Sequence, residues 1–394
     1  MATTAAGSRA PLIAAYAITF LAFFDTFAFL PTVGPRAESL GADPVLVGAI
    51  VGAYSLTNLA ANPVAGVLID RFGRRPLLLT GLLVAVLAVV AYPLAATPGQ
   101  LLMLRLAHGL GGGIVVPAVF TLVGDLTRSD RRGRAMGRTG AAIGLAAIVA
   151  PPVAGAVQHA VGFTGVTSTV AAALTLGAVL AVHKLPETAP AVPAGADATG
   201  RRTDGLPVDV RRLLRAGVGV FGFTFALGGL TAFLPFRVAD LGGAPSVTGA
   251  MLGLFALVAA GLMLSPVADQ ARHASAARPL VAGLALVAVS LTVLSAAGGL
   301  ATVAAACALF GVGYAFVFPT AATEASEAAP GGRRGRAFGI FHAAFSLGFV
   351  VGPPAAGWVS GTAAGPFAVG AVGAALAAGL VVALGAIRPG GPRA

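Results

Sequence analysis

The chain has 394 residues, of which 57% are apolar and 10% charged, and its mean hydropathy is +0.91. Soluble domains carry roughly 25% charged residues, so this chain cannot cover its surface with charge, and lipid must be its solvent. A net charge of +11 would suit a nucleic-acid binder, but the arginines stand in short clusters between apolar runs, which argues against nucleic acid. The single cysteine excludes an internal disulfide, and the five histidines show no metal-ligand spacing. We expect neither a metal nor a cofactor.

Apolar runs long enough to cross a bilayer recur along the whole chain. The first is too long for the apolar region of a secretory signal, so we interpret it as a membrane helix. The pattern predicts an all-α polytopic membrane protein with twelve transmembrane helices, numbered here as spans 1 to 12. They cover residues 11–33, 45–69, 77–96, 99–123, 136–157, 163–183, 214–236, 246–268, 279–297, 300–322, 337–359 and 364–387.

Positive charge is distributed unequally between the two ends of these spans. The N-terminus, the loops after even-numbered spans and the C-terminus hold 22 of the 25 Lys and Arg residues. We call this side the basic end. The loops of the opposite end hold only Arg36 and Arg237. The positive-inside rule then predicts that both termini lie in the cytoplasm of a cell (inner) membrane protein.

The two halves of the sequence repeat each other. "RRGRAMG" at 131–137 returns as "RRGRAFG" at 333–339, and "APPVAG" at 150–155 returns as "GPPAAG" at 352–357. Parallel repeats of six helices are a known transporter plan. The long break at 186–212 is rich in Pro, Ala and Gly and is typical of a flexible linker. We therefore predict an N-terminal bundle at 1–185, a cytoplasmic linker at 186–212 and a C-terminal bundle at 213–394.

The loop after span 2 carries a signature, "GVLIDRFGRRP" at 66–76. It closely resembles the Gly-x-x-x-Asp-Arg-x-Gly-Arg-Arg motif of the major facilitator superfamily of secondary transporters. The resemblance implies a latch that closes the cytoplasmic side, in which the motif's aspartate meets the N-terminus of span 11. Asp125, which ends span 4 near the arginine loops, is expected to help this latch through an ion pair. The residues assigned to it are Gly66, Asp70, Arg71, Gly73, Arg74, Arg75 and Asp125.

Spans 4, 5 and 11 carry further motifs of that family. "RLAHGLGGG" at 105–113 resembles its span 4 pattern of an arginine followed by spaced glycines. "GAAIGLAAIVAPPVAG" at 140–155 resembles the helix-bending motif of its antiporter branch, although Ala150 stands where glycine is usual. Plain tight packing is the alternative explanation for these glycines and prolines. The residues assigned to the bend are Gly144, Pro151, Pro152, Gly155, Gly352 and Pro353.

Two charges lie inside apolar runs, Asp25 in span 1 and Arg105 in span 4. Counted from the opposite end they are about 12 Å and 9 Å deep at 1.5 Å per residue. Charges inside a membrane are costly and indicate function. We expect Asp25 to carry a proton and Arg105 to be its electrostatic partner, within about 4 Å. A structural ion pair is the alternative.

The family resemblance implies a central cavity lined by spans 1, 4, 7 and 10, alternating access between the two sides, and no enzymatic activity. The whole chain has two asparagines and three glutamines, which are too few for a sugar site. This favours proton-coupled export of lipophilic or amphipathic molecules, as in the drug:proton antiporter branch of the family. We expect the protein to be a monomer. Uptake or exchange of a sugar or carboxylate, or a lipid flippase, are the alternatives. The expected cavity residues are Phe23, Phe27, Asn58, His108, Phe225, Phe233, Phe316 and Phe345.

The charge asymmetry makes the topology testable. A reporter that is active only outside the cytoplasm, fused after Arg388, should stay inactive, whereas the same reporter after Arg237 should be active. Activity at both fusion sites would contradict the prediction.

Overall fold

The computed structural model describes residues 10–188, 208–265, 277–329 and 334–386, apart from the side chains at 70, 129, 334–336, 338 and 386. Within these residues the chain forms α-helices, two short 3-10 helices and turns, without a β-strand. The helices are α1 (Ala10–Ala28), α2 (Val33–Ser39), α3 (Pro44–Phe72), α4 (Arg74–Ala91), α5 (Pro98–Asp125), α6 (Arg132–Lys184), α7 (Val210–Asp240), α8 (Pro245–Met263), α9 (Ala277–Ser295), α10 (Leu300–Glu327), α11 (Arg334–Val359) and α12 (Pro366–Ala386).

Eleven of these helices are long and apolar enough to cross a membrane. α6 has 53 residues, about 80 Å at 1.5 Å per residue, whereas the hydrocarbon core of a bilayer is about 30 Å thick. It is interrupted at Gly162, whose φ of 77° lies in the left-handed region that favours glycine. α6 therefore contains spans 5 and 6. α1, α3, α4 and α5 are spans 1 to 4, and α7 to α12 are spans 7 to 12.

Local sequence sets the helix ends at the opposite end. Asp43 accepts a hydrogen bond from the Leu46 N–H at 2.9 Å, and Thr97 accepts one from the Gln100 N–H at 3.3 Å. Both residues precede a proline at the first helical position, where a missing N–H costs nothing. Span 1 is shorter than expected because α1 ends at Ala28, and residues 33–39 form the separate α2.

The two halves of the chain meet where span 2 packs on span 11. A Cβ added to Gly48 would lie 2.3 Å from the carbonyl oxygen of Pro353. A Cβ added to Gly357 would lie 2.1 Å from the carbonyl oxygen of Pro44. These separations are shorter than any non-bonded contact, so glycine is what lets the two backbones approach.

Span 5 packs on span 8 in the same way. A Cβ on Gly249 would lie 2.2 Å from the carbonyl oxygen of Pro151, and one on Gly155 would lie 2.7 Å from that of Pro245. Spans 2 and 8, which both begin at the opposite end, share a pattern of a proline followed by glycines four and eight residues later. It occurs at 44, 48 and 52 and again at 245, 249 and 253. The sequence repeat is thus also a repeat of packing.

Towards the basic end these helices separate. Gly144 lies on the face of span 5 that packs against span 8, yet no heavy atom of the described residues lies within 4 Å of a Cβ built there. The same holds for Gly66 in span 2 and Gly339 in span 11. Among the described residues, the halves therefore touch at the opposite end and diverge towards the basic end. The division at 186–212 stays a prediction, since residues 189–207 lie outside the described ranges.

This geometry predicts opposite effects at two glycines of span 5. Gly155→Leu forces spans 5 and 8 apart and should lower the melting temperature of the purified protein, because overpacking costs about 1–3 kcal/mol. Gly144→Leu, the matched control, enters open space and should leave it unchanged. Equal destabilisation by both substitutions would contradict the divergence of the helices.

Candidate coupling site

A chain of buried polar side chains links spans 1, 3 and 4. The Nε2 atom of His108 lies 2.9 Å from Oδ2 of Asp25, and its Nδ1 atom lies 2.8 Å from the Tyr92 hydroxyl. Nη1 of Arg105 lies 3.4 Å from the same hydroxyl. The side chains of Asp25 and His108 are 3% and 0% exposed. Such burial is tolerated only when polar groups find partners.

Donor and acceptor capacities allow one continuous direction for this chain. The guanidinium can only donate, so the Tyr92 hydroxyl accepts from Arg105 and can give its own proton to Nδ1 of His108. In that arrangement His108 carries its proton on Nε2 and donates it to Oδ2 of Asp25. The second oxygen of Asp25, Oδ1, is buried and has no hydrogen-bond partner among the described residues.

Arg105 is held by span 2 rather than by Asp25. Its Nε donates to the Ile50 carbonyl at 3.3 Å and its Nη2 to the Val51 carbonyl at 3.1 Å. The guanidinium carbon also lies 5.2 Å from the centre of the Tyr54 ring. The expected direct contact between Asp25 and Arg105 is therefore wrong for this conformation: the ion-pair partner of Asp25 among the described residues is His108. Arg105 acts on it through Tyr92.

The glycines of span 4 make room for this arrangement. A Cβ on Gly109 would lie 2.2 Å from the Tyr54 carbonyl oxygen, and one on Gly113 would lie 2.6 Å from Cβ of Ala61. A Cβ on Gly112 would lie 2.0 Å from the Tyr54 hydroxyl. That hydroxyl lies 3.3 Å from Oγ1 of Thr26, next to Asp25 in span 1. The glycines expected to allow close packing thus also position Tyr54.

The second half holds aromatic groups at the equivalent positions. Tyr54 and His108 are in edge-to-face contact with ring centres 5.0 Å apart. Phe255 and Phe310, 201 and 202 positions later, make the same contact at 5.6 Å. Phe310 also lies 5.6 Å from Phe223. One repeat is therefore polar where the other is aromatic.

The signature loop is organised at the basic end by a residue that the sequence analysis missed. Glu187 accepts hydrogen bonds from the backbone N–H groups of Arg74 and Arg75, at 3.0 and 3.2 Å, and so caps the N-terminus of span 3. Gly73 has a φ of 92°, and a Cβ there would lie 2.6 Å from Oε1 of Glu187. The beginning of the expected linker is thus docked on the first half. The local sequence "PET" at 186–188 contains no pattern that predicts this contact.

Asp125 makes the expected ion pair, but within its own half. Its Oδ2 lies 3.0 Å from Nε of Arg74. The second half has similar ion pairs within itself: Glu324 pairs with Arg215 at 2.5 Å, and Glu327 pairs with Arg212 at 2.7 Å. The Asp70 side chain lies outside the described residues, so the latch remains a prediction. Arg71 is exposed beside the Phe72 ring, and Gly66 faces open space.

Several residues assigned to the helix bend pack against neighbouring helices, and their role in bending stays a prediction. Pro151 and Gly155 meet span 8, and Pro353 meets span 2. Pro152 lies against Gly253 of span 8, where an added Cβ would be 2.5 Å from its Cγ. Gly352 lies against the Phe225 backbone in span 7.

Two of the eight expected cavity residues, His108 and Phe233, are buried, at 0% and 5% exposure. The sequence places an aromatic residue in a helix but does not say which face it occupies. Phe225 and Phe316 are half-buried, the first beside Gly373 of span 12 and the second beside Gly283 of span 9. The other four, Phe23, Phe27, Asn58 and Phe345, are also half-buried, and the assignment to a substrate cavity stays a prediction.

Solved structures of membrane transporters share this fold. A bacterial homologue of the human lysosomal transporter Spinster superposes with a TM-score of 0.77 at 16% identity, covering 95% of this chain and 94% of that chain. A mutant of the nucleoside transporter NupG gives 0.76 at 13% identity, covering 95% and 99%. The family model of the Major Facilitator Superfamily matches residues 15–341 and 216–394, and the chain belongs to that family. It is a membrane transporter and not an enzyme.

Related sequences carry transport names. The inner membrane transport protein YajR of Escherichia coli K12 is 25% identical over 365 residues, covering 92% of this chain and 79% of the relative. The multidrug resistance protein MdtH of Proteus mirabilis is 25% identical over 349 residues, covering 87% and 84%. Multidrug resistance protein 1 of Bacillus subtilis is 28% identical over 136 residues, covering 34% and 35%.

The packing of Tyr54 against Gly112 can be tested by a double-mutant cycle. Gly112→Ala should lower the melting temperature, because its Cβ collides with the Tyr54 hydroxyl. Removing that hydroxyl in Gly112→Ala/Tyr54→Phe should recover part of the loss, with an interaction energy of about 0.5–3 kcal/mol. Strictly additive effects would show that the two residues are not in contact.

Proposed function

We propose that the chain exports lipophilic or amphipathic small molecules across a cell membrane in exchange for protons. Relatives named for multidrug resistance support the substrate class. The placement of 22 of 25 Lys and Arg at the basic end supports a cytoplasmic basic end with both termini inside. On that orientation the close glycine contacts between the halves lie on the outer side, which suits a state that collects its substrate from within the cell.

The observation that carries the coupling proposal is the Asp25–His108 pair. Nε2 of His108 lies 2.9 Å from Oδ2 of Asp25, and Oδ1 of Asp25 has no hydrogen-bond partner among the described residues. The pair therefore has room for one more proton, on Oδ1, without breaking the chain through Tyr92 to Arg105. We assign Asp25 as the proton carrier and Arg105 as a residue that holds His108 in its donating tautomer. The protonated form would belong to the conformation that opens on the other side.

The substrate region is the divergent space between the halves. The second half contributes half-buried rings to it from spans 10 and 11, with Phe318 and Phe345 6.2 Å apart and Phe345 and Phe349 5.6 Å apart. Rings offer apolar contact without fixed hydrogen-bonding geometry, which suits varied lipophilic molecules better than a sugar. This supports export of such compounds over uptake of a polar metabolite.

The decisive assay is uptake of a lipophilic cationic dye into inverted vesicles with an imposed pH gradient. Asp25→Asn should abolish gradient-driven accumulation and keep counterflow exchange, because the amide cannot take up a proton. His108→Phe introduces the residue that the second half has at the same place, and should also uncouple transport. Phe310→His is the matched control and should remain coupled.

Full concentrative uptake by Asp25→Asn would contradict the assignment of the carrier. Accumulation of a sugar or carboxylate but no dye would favour a metabolite transporter. Movement of labelled lipid between leaflets without dye transport would favour a flippase.

A further inference from the structure

A small cavity lies directly beside the proposed proton carrier. It is lined by Asp25, Tyr54 and Gly112, among apolar side chains, and has a volume of about 10 Å³. A cavity of that size is about the smallest that holds one water molecule, and a buried water needs polar partners. Oδ1 of Asp25, buried and without a hydrogen-bond partner among the described residues, supplies one, and Tyr54 lines the same cavity.

A line of polar side chains leads away from this cavity along span 2. Tyr54, Asn58 and Asn62 stand four residues apart and so share one face of the helix. Asn58 lies one helical turn from Tyr54, and Nδ2 of Asn62 donates to Oδ1 of Asn58 at 3.0 Å. Oδ1 of Asn62 is buried and has no hydrogen-bond partner among the described residues.

This line ends in the open part of the molecule. Tyr54 is 8% exposed, Asn58 and Asn62 are half-buried, and Gly66 faces open space. The distance covered from Tyr54 to Gly66 is about 18 Å at 1.5 Å per residue. The two asparagines of the chain thus both lie on one path between the buried carboxylate and the basic end.

The other direction is closed by protein. Phe29, 2% exposed, packs edge-on against the rings of Tyr92 and His108 at 5.1 and 5.8 Å. Beyond it, Arg36 lies 5.7 Å from the centre of the Phe163 ring and donates to the Ala95 carbonyl at 3.0 Å. A proton coming from the opposite end would have to cross this layer.

We propose that Asp25 Oδ1 binds a water in this cavity and exchanges its proton with the basic end along Tyr54, Asn58 and Asn62. An excess proton carried by water along this path passes to Oδ1 and leaves a neutral water in the cavity, while the asparagine amides hold the waters of the path by hydrogen bonds; release of the proton is the reverse step. The charged and titratable groups that face the site are His108 and Arg105 of span 4, Tyr92 at the end of span 3, and Tyr54 of span 2. The inference rests on the proposed role of Asp25 as the proton carrier.

Infrared spectroscopy of the purified protein tests the path. Protonated Asp25 should give a carboxyl C=O band that is absent in Asp25→Asn, and transfer to heavy water shifts that band at the rate of proton exchange. Asn58→Leu and Asn62→Leu should each slow this shift by about tenfold, the effect of one lost hydrogen bond, without moving the pH midpoint of the band. Asn58→Ser, which keeps a polar group, should recover part of the rate.

Gln158→Leu is the matched control, because it removes a half-buried amide near the opposite end of span 5. It should leave the exchange rate unchanged. Slower exchange in Gln158→Leu with normal rates in both asparagine variants would overturn the path, and so would a shifted midpoint in both asparagine variants. A wild-type spectrum without the Asp25 band would instead remove the proposed carrier itself.

Discussion

The structure of the first half depends on holding one buried carboxyl group, that of Asp25, inside a membrane. An isolated charge there would be neutralised or would move towards water, since lipid offers no interaction that offsets the free-energy cost of desolvation. The Asp25 carboxyl group is stabilised by its hydrogen bond to His108, and His108 is in turn oriented by Tyr92 and Arg105. Arg105 is itself anchored to the Ile50 and Val51 carbonyls of span 2. One hydrogen-bonded network that ends at Oδ2 of Asp25 therefore connects spans 1, 2, 3 and 4.

Glycine residues allow the close helix packing that this hydrogen-bonded network requires. Arg105 reaches span 2 carbonyls, and the Tyr54 hydroxyl reaches Thr26, only because span 4 has no side chain at Gly109 and Gly112. Glycine also allows close packing between the halves at the opposite end, where Gly48 lies against the Pro353 backbone and Gly249 against the Pro151 backbone. Lipid gives no hydrophobic drive between helices, so close backbone packing is the main source of association available to such a chain. A large number of glycines is therefore a stabilising feature here rather than a sign of disorder.

The sequence predicted the spans and the repeat well because both depend on local composition. Gly162 separates spans 5 and 6 at the break between the runs 136–157 and 163–183. The site was predicted only in part. Asp25 and Arg105 stand out as charges in apolar runs, but Tyr92 lies at the end of a different span and carries no such signal. Which residue pairs with Asp25 is decided by how helices face one another, and periodicity does not contain that information.

The location of the whole polar chain in one half constrains how coupling can work. Asp25, Tyr92, Arg105 and His108 belong to spans 1, 3 and 4, which move together if the halves rock as rigid bodies. Rocking then has no means of pulling Asp25 away from His108 and cannot switch affinity by breaking that pair. What rocking does change is the packing of span 2 on span 11 and of span 5 on span 8, and with it the side from which water reaches the carboxylate. On the proposed coupling, the switch is then access of water to Oδ1 rather than the making and breaking of an ion pair.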